Sequence, residues 1–176
     1  MSDDAFAAGD KIVHPAHGAG IIDAIEQPDI LDEFNRYYVI DLTAQDMRIM
    51  IPVRTAEELG LRAVMSKKET LAVYKQLGQQ PQHLPDDFKK RQSHIAKLLK
   101  EGDIEALTSV VRDMAARAKI KTYSPTEARL YEQARSMLSG EMALSLDTDV
   151  EDALARIDVV LEDIHLSEEK PAEEDE

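Results

Sequence analysis

Gly9–Gly20 reads GDKIVHPAHGAG and Asp46–Pro52 reads DMRIMIP. These two stretches decide the fold of the N-terminal part. In the first, a short strand start, Lys11–His14, runs into a turn. Pro15 fixes φ there, and Gly18 and Gly20 permit tight geometry. In the second, Met47, Ile49 and Ile51 alternate with Asp46, Arg48 and Met50 until a proline ends the run. Met47, Ile49 and Ile51 are expected in the core, and Arg48 and Met50 on the outer face. Between the two stretches, Ala19–Glu26 (AGIIDAIE) and Arg36–Leu42 (RYYVIDL) are rich in β-branched and aromatic residues. Ala56–Gly60 reads as one helical turn closed by glycine, and Leu61–Val64 as a last strand. Several short strands in so little chain predict a small, strongly bent antiparallel sheet or partial barrel.

From Ser66 the apolar period changes to helical. Ser66-Lys67-Lys68-Glu69 fits a capping box and opens a helix that ends near Gly78. Gln79–Pro85 (QQPQHLP) reads as a linker. Asp86 or Asp87 caps a second helix, Phe88–Glu101, stopped by Gly102, and Asp103 caps a third, Ile104–Lys119. Ser124-Pro125-Thr126-Glu127 combines an N-cap, Pro at the first helical position and Glu at the third. Its helix runs to about Gly140, with continuation to Leu146 possible. Asp147 or Thr148 is expected to cap a fifth helix, to about Leu166. The fold class is therefore α+β: residues 1–65 form a β domain, residues 66–166 a bundle of about five helices. Residues 167–176 (SEEKPAEEDE) form an acidic tail too poor in apolar residues to order itself.

The 176 residues carry a net charge of −14, which at first argues against a nucleic-acid partner. The distribution changes that reading. Residues 1–66 hold 5 basic and 12 acidic residues, a net of −7; residues 67–140 hold 14 and 9, a net of +5; residues 141–176 hold 2 and 14, a net of −12. Screening acts over roughly 8–10 Å, so a basic island engages phosphates despite the total charge. The chain has no cysteine, so disulfides and thiolate metal sites are excluded. Its start lacks the pattern of a signal peptide, and no apolar run approaches a membrane span. The expectation is a cytoplasmic protein with no membrane contact.

No motif points to catalysis. His14 and His17 flank Pro15 and read as part of a turn, not a metal site, because further ligands are not nearby. Gly18-x-Gly20 is too short for a dinucleotide fingerprint, and no phosphate-binding loop is present. The expectation is a non-enzyme with no cofactor. The sharpest chemistry is Phe88-Lys89-Lys90-Arg91, an apolar side chain at a helix start beside three cations. Cations that hold phosphates around an apolar wedge are the means by which minor-groove binders kink DNA. Packing of Phe88 into the bundle core is the equal alternative. Lys97, Arg117 and Arg129 extend the basic charge, and Arg112–Asp113 suits an intramolecular pair. The outward Met50 beside Arg48 suits a partner surface or an edge that pairs with another strand.

These residues resemble the CarD-like family of bacterial transcription regulators, which shares its N-terminal domain with the transcription-repair coupling factors. The resemblance rests on Phe6, on Gly9–Gly18 (GDKIVHPAHG), on Tyr37-Tyr38-Val39, on Met47–Val53 (MRIMIPV) and on Ala56–Arg62 (AEELGLR). It continues through Gly102-Asp103, Val110-Val111-Arg112-Asp113 and Ala134-Arg135-x-x-Leu138-x-x-Glu141-x-Ala143-Leu144. It covers about residues 6–165. The resemblance implies a Tudor-like bent barrel that docks on the RNA polymerase β subunit. It implies a helical domain that contacts promoter DNA at the upstream edge of the melted region and stabilises the open complex. A monomer suits that role.

The resemblance also implies site residues. Phe88 stands where relatives carry a tryptophan wedge, and it offers less stacking area and no N–H donor. Lys90 and Arg91 match the following basic pair, with Lys89 and Lys97 nearby. Arg129 matches a basic position of the fourth helix, while its neighbour Ala128 falls where some relatives are basic. Pro28 and Met50 stand where some relatives present arginines to polymerase, so Arg48 or Arg36 is expected to supply a displaced charge. The competing expectation is a protein–protein adaptor that binds polymerase but whose helices do not touch DNA. Burial of Phe88 would favour it.

Overall fold

A computed structural model describes residues 4–29 and 36–168. The strands are β1 (Lys11–His14), β2 (Gly18–Glu26), β3 (Tyr37–Leu42), β4 (Met47–Pro52) and β5 (Arg62–Ala63). The helices are α1 (Lys67–Leu77), α2 (Phe88–Glu101), α3 (Ile104–Ala118), α4 (Pro125–Leu146) and α5 (Val150–Glu162). The α+β class and the order of sheet before helices match the expectation from sequence. Most of the acidic tail, residues 169–176, lies outside the described residues. The chain packs as two units, residues 1–70 with 136–153 and residues 71–135 with 154–176. The change of period near Ser66 marks where helices begin. It does not mark which core their side chains join, because residues 136–153 pack with the β unit.

In the first unit, five strands form one antiparallel sheet in the order β4-β3-β2-β1-β5. The sheet is open, with β4 and β5 as its edges among the described residues, which fits the expected bent sheet or partial barrel. β5 has two residues and bonds only to β1, which leaves too little ladder to reach β4. A bulge in β2 between Ile22 and Ala24 sharpens the bend. One face buries Ile12, Ile22, Tyr38, Ile40, Leu42 and Ile51 in a single core. Met47, expected inside, is exposed: it is the first residue of the edge strand β4, although Leu42 opposite it is buried. On the other face Val13 and Ala19 pack against Leu144 of α4, with Val64 alongside. Gly20 is needed here: a Cβ would lie 2.6 Å from the Asp41 carbonyl oxygen and 2.8 Å from Ile40.

A buried acid ties this unit together. Glu141 accepts two bonds from Arg62, at 2.7 and 2.9 Å, and one from the Met65 N–H at 2.9 Å. The end of α4 corrects one expectation. Asp147 does not cap α5; it takes φ +55 and closes α4, with the Thr148 N–H donating to the Ala143 carbonyl at 3.0 Å. Its carboxylate pairs with Lys11 and Lys67, which hold it below its ordinary pKa. Asp149 is the cap of α5, accepting from the Asp152 N–H at 2.8 Å. α5 ends at Glu162, four residues short of the expected Leu166.

In the second unit the capping chemistry read from sequence is present. Asp87 accepts from the Lys90 N–H at 2.8 Å, and Asp103 from the Ala106 N–H at 3.3 Å. Ser124 and Glu127 form the reciprocal box, at 2.8 and 3.2 Å. Gly102 ends α2 with φ +65. Ile95 and Leu99 of α2 and Val110, Val111 and Met114 of α3 are buried, as are Leu77, Ile157 and Leu161. The linker before α2 is strapped down. Gln82 donates its N–H to Asp113 at 3.0 Å, and Gln80 donates to the His165 carbonyl at 3.0 Å. Asp113 also accepts from Arg112 at 2.8 Å, which makes the expected intramolecular pair, buried.

Candidate functional site

The start of α2 is built around one buried carboxylate. Arg91 Nε donates to Glu127, and Arg91 Nη1 donates to the carbonyls of Pro85 at 2.9 Å and Asp86 at 2.8 Å. One guanidinium therefore ties the linker and the first turn of α2 to the first turn of α4. The Glu127 carboxylate accepts from Arg91 and from the Ser124 N–H, while the Glu127 backbone N–H donates to the Ser124 hydroxyl to complete the capping box. Burial pushes its carboxyl up in pKa. The Ser124 N–H, Arg91 and the Ser124 hydroxyl outweigh that effect and hold it below the ordinary carboxylate value.

This node corrects the reading of Arg91. It is 5% exposed, so it presents no charge at the surface. It is a tether behind the first turn of α2. Phe88 is the opposite case. Positions 88, 91, 95 and 99 share one stripe of the helix, so periodicity alone places Phe88 in the core with Ile95 and Leu99. The core ends instead at the Arg91–Glu127 pair, and Phe88, one turn beyond it, is 48% exposed. The side chains of Lys89, Lys90 and Lys97 on α2 and of Arg129 on α4 are also exposed. Arg117, expected on the basic surface, is recessed at 15% side-chain exposure, with Nη1 at 3.9 Å from Glu127. The structure thus brings Phe88, Lys89 and Lys90 to the surface together and withdraws Arg91 and Arg117.

The β unit carries a second candidate surface. On the outer sheet face Ile21, Asp41 and Arg48 stand in register across β2, β3 and β4, and Val39 faces Met50 in the next row. Arg48 is clamped by Asp41 at 2.6 and 3.1 Å and reaches Asp23 at 3.3 Å. The charge expected of Arg48 is therefore present but neutralised. Arg36 pairs with Asp4 at 2.7 Å and is likewise compensated. What stands clear is apolar: Met47 and Met50 are exposed on the edge strand β4, and Ile21 two strands away on β2. Pro28 is half-buried in the loop after β2. Sequence reading missed Met47 and Ile21, which alternation places in a core or leaves undecided.

His14 and His17 make a tilted ring contact, with centroids 4.7 Å apart and planes at 42°, and His14 Nδ1 accepts from the Ala16 N–H at 3.1 Å. Burial and then His17 lower the His14 pKa. The pair is a turn-forming element. Among the described residues no cluster of three or more potential ligands is arranged for a metal. No helix among them is long and apolar enough to cross a membrane.

Two family models match the chain one after the other along the sequence. Residues 6–65 match the model of the CarD-like/TRCF RID domain, and residues 72–158 match that of the CarD C-terminal domain. A Bacillus subtilis (strain 168) protein, named "Putative transcription factor YdeB", is 34% identical over 140 residues. The matched region covers 78% of this chain and 90% of that relative.

Proposed function

The chain belongs to the CarD-like family, and from that premise we propose that it is a bacterial transcription regulator without catalytic activity. Its β unit docks on RNA polymerase, at the β subunit, and its helical unit contacts promoter DNA at the upstream edge of the melted region. The observation that carries the DNA contact is the half-exposed Phe88 at the start of α2, flanked by exposed Lys89 and Lys90. An apolar side chain there leans on a base step while the lysines neutralise phosphates, which favours the kinked, opened duplex. Arg91 serves this surface from behind, fixing the turn that presents Phe88.

The polymerase contact uses the exposed methionines and free backbone edge of β4, not a cluster of unpaired cations. Thioethers adapt to a partner surface, and an edge strand offers a ladder to a second sheet. Such a role places the protein with polymerase in the cytoplasm and requires one copy per complex.

The test is the lifetime of open promoter complexes formed by the cognate polymerase, with and without the protein. The wild-type chain is expected to lengthen it. Phe88→Ala is expected to remove at least about fivefold of that effect, as loss of one stacking contact would. Equal action of the two would refute the wedge. If neither acts although both bind polymerase, the chain is an adaptor whose helices do not touch DNA.

A further inference from the structure

The helical unit contains a cavity of about 280 Å³ between the linker before α2, the end of α3 and the segment after α5. Its walls combine Arg117 and Lys121 with His83, Asp86 and the apolar side chains of Leu84, Ile120 and Leu166. Two permanent cations thus face one carboxylate. Lys121 forms no ion pair with the described residues. The Arg117 guanidinium is incompletely satisfied. Its Nη1 lies on the side of Glu127, shut off from solvent and without a hydrogen bond, so it is the remainder of the side chain that lines the cavity. The nearest carboxylate oxygen, on Glu127, is 3.9 Å away and already accepts from Arg91. Ile120 is 65% exposed, an apolar side chain that none of the described residues covers.

We propose that this cavity binds a small organic anion with an apolar body, its phosphate or carboxylate held by Arg117 and Lys121 and its body laid against Ile120, Leu84 and Leu166. A guanidinium fork suits a two-oxygen anion, and a lysine adds a mobile point charge. The volume lies just below the usual range of ligand pockets, which limits the ligand to a small molecule and excludes a duplex. The apolar wall is what separates this site from a plain phosphate patch. The lining includes none of Phe88, Lys89 and Lys90, and the site holds whether or not the helices touch DNA.

The test is a titration of the full chain with phenyl phosphate, and in parallel with benzoate and inorganic phosphate, followed by methyl NMR of Ile120, Leu84 and Leu166. Saturable shifts with phenyl phosphate or benzoate are expected, and the tighter of the two assigns the anion. Inorganic phosphate is expected to bind about tenfold more weakly, since it lacks the apolar body. Arg117→Met is expected to weaken binding about tenfold. Ile120→Asp, at an exposed position that the fold does not need, is expected to do the same by placing a carboxylate on the wall. No saturable shift, or equal binding by inorganic phosphate, would overturn the proposal. So would binding unchanged in Ile120→Asp. Removal of residues 169–176 is expected to leave affinity unchanged. A tenfold gain would make that acidic segment the occupant and overturn the small-molecule assignment.

Discussion

Arg91 and Arg48 each meet a carboxylate, yet the two pairs do opposite work. Arg91 and Glu127 are both buried, and every contact of the guanidinium fixes backbone: the Pro85 and Asp86 carbonyls on one side, the start of α4 on the other. Arg48 stands 58% exposed on the sheet, with Asp41 and Asp23 half-exposed around it. In the buried pair, removing one partner strands a charge away from water, so the pair sets geometry. In the exposed pair, water replaces the lost partner, so the pair sets only local charge. The residue type and partner type are the same; burial decides the role.

The sharpest way to break this comparison is Arg91→Met. It is expected to cost about 3–5 kcal/mol in urea denaturation, because Glu127 is left buried and uncompensated. The double variant Arg91→Met/Glu127→Gln is expected to recover part of that loss. A cost below about 1 kcal/mol for the single variant would show that the pair is not a tether.

Acid sharpens the same contrast. The Glu127 carboxyl is held below its ordinary value in the folded chain. Its stabilisation is therefore fully present above the unfolded pKa, about 4.3, and is lost as pH falls through the lower folded value. Wild-type stability is expected to fall more steeply below about pH 4 than that of Glu127→Gln, measured by urea midpoints across pH. Parallel profiles would show that Glu127 does not titrate with unfolding.

Phe88→Ala is expected to change stability by only about 0.5–1 kcal/mol, since the ring is half in water. Its effect belongs to the open-complex lifetime. A cost of about 3 kcal/mol would reassign Phe88 to the core. The smallest effect is expected of Arg48→Gln, within about 1 kcal/mol and shrinking further in high salt, read by thermal unfolding at two ionic strengths.

Much of this was legible in the chain. The capping boxes at Ser66–Glu69 and Ser124–Glu127 are local patterns, and both formed as read. The helix stop at Gly102 needed only one left-handed residue. Where several acids compete for one role, local reading chose wrongly: Asp147 went to the end of α4 because Lys11 and Lys67 compensate it there, and Asp149 took the cap. Lys11 is far away in sequence, so no local pattern reports it. The run Phe88–Arg91 shows the same limit. Its residues are adjacent and similar in chemistry, but one turn of helix carries Lys89 and Lys90 outward and Arg91 inward.

By itself, then, the sequence determined the elements, their caps, the basic island in an acidic chain and the resemblance that names the family, because each depends on neighbours within a few residues or on order along the chain. Only the tertiary structure decided that Phe88 stands in water, that Arg91 and Arg117 do not, and that the latter part of α4 joins the sheet. Those outcomes depend on where a core ends, and a core ends where distant side chains stop covering it.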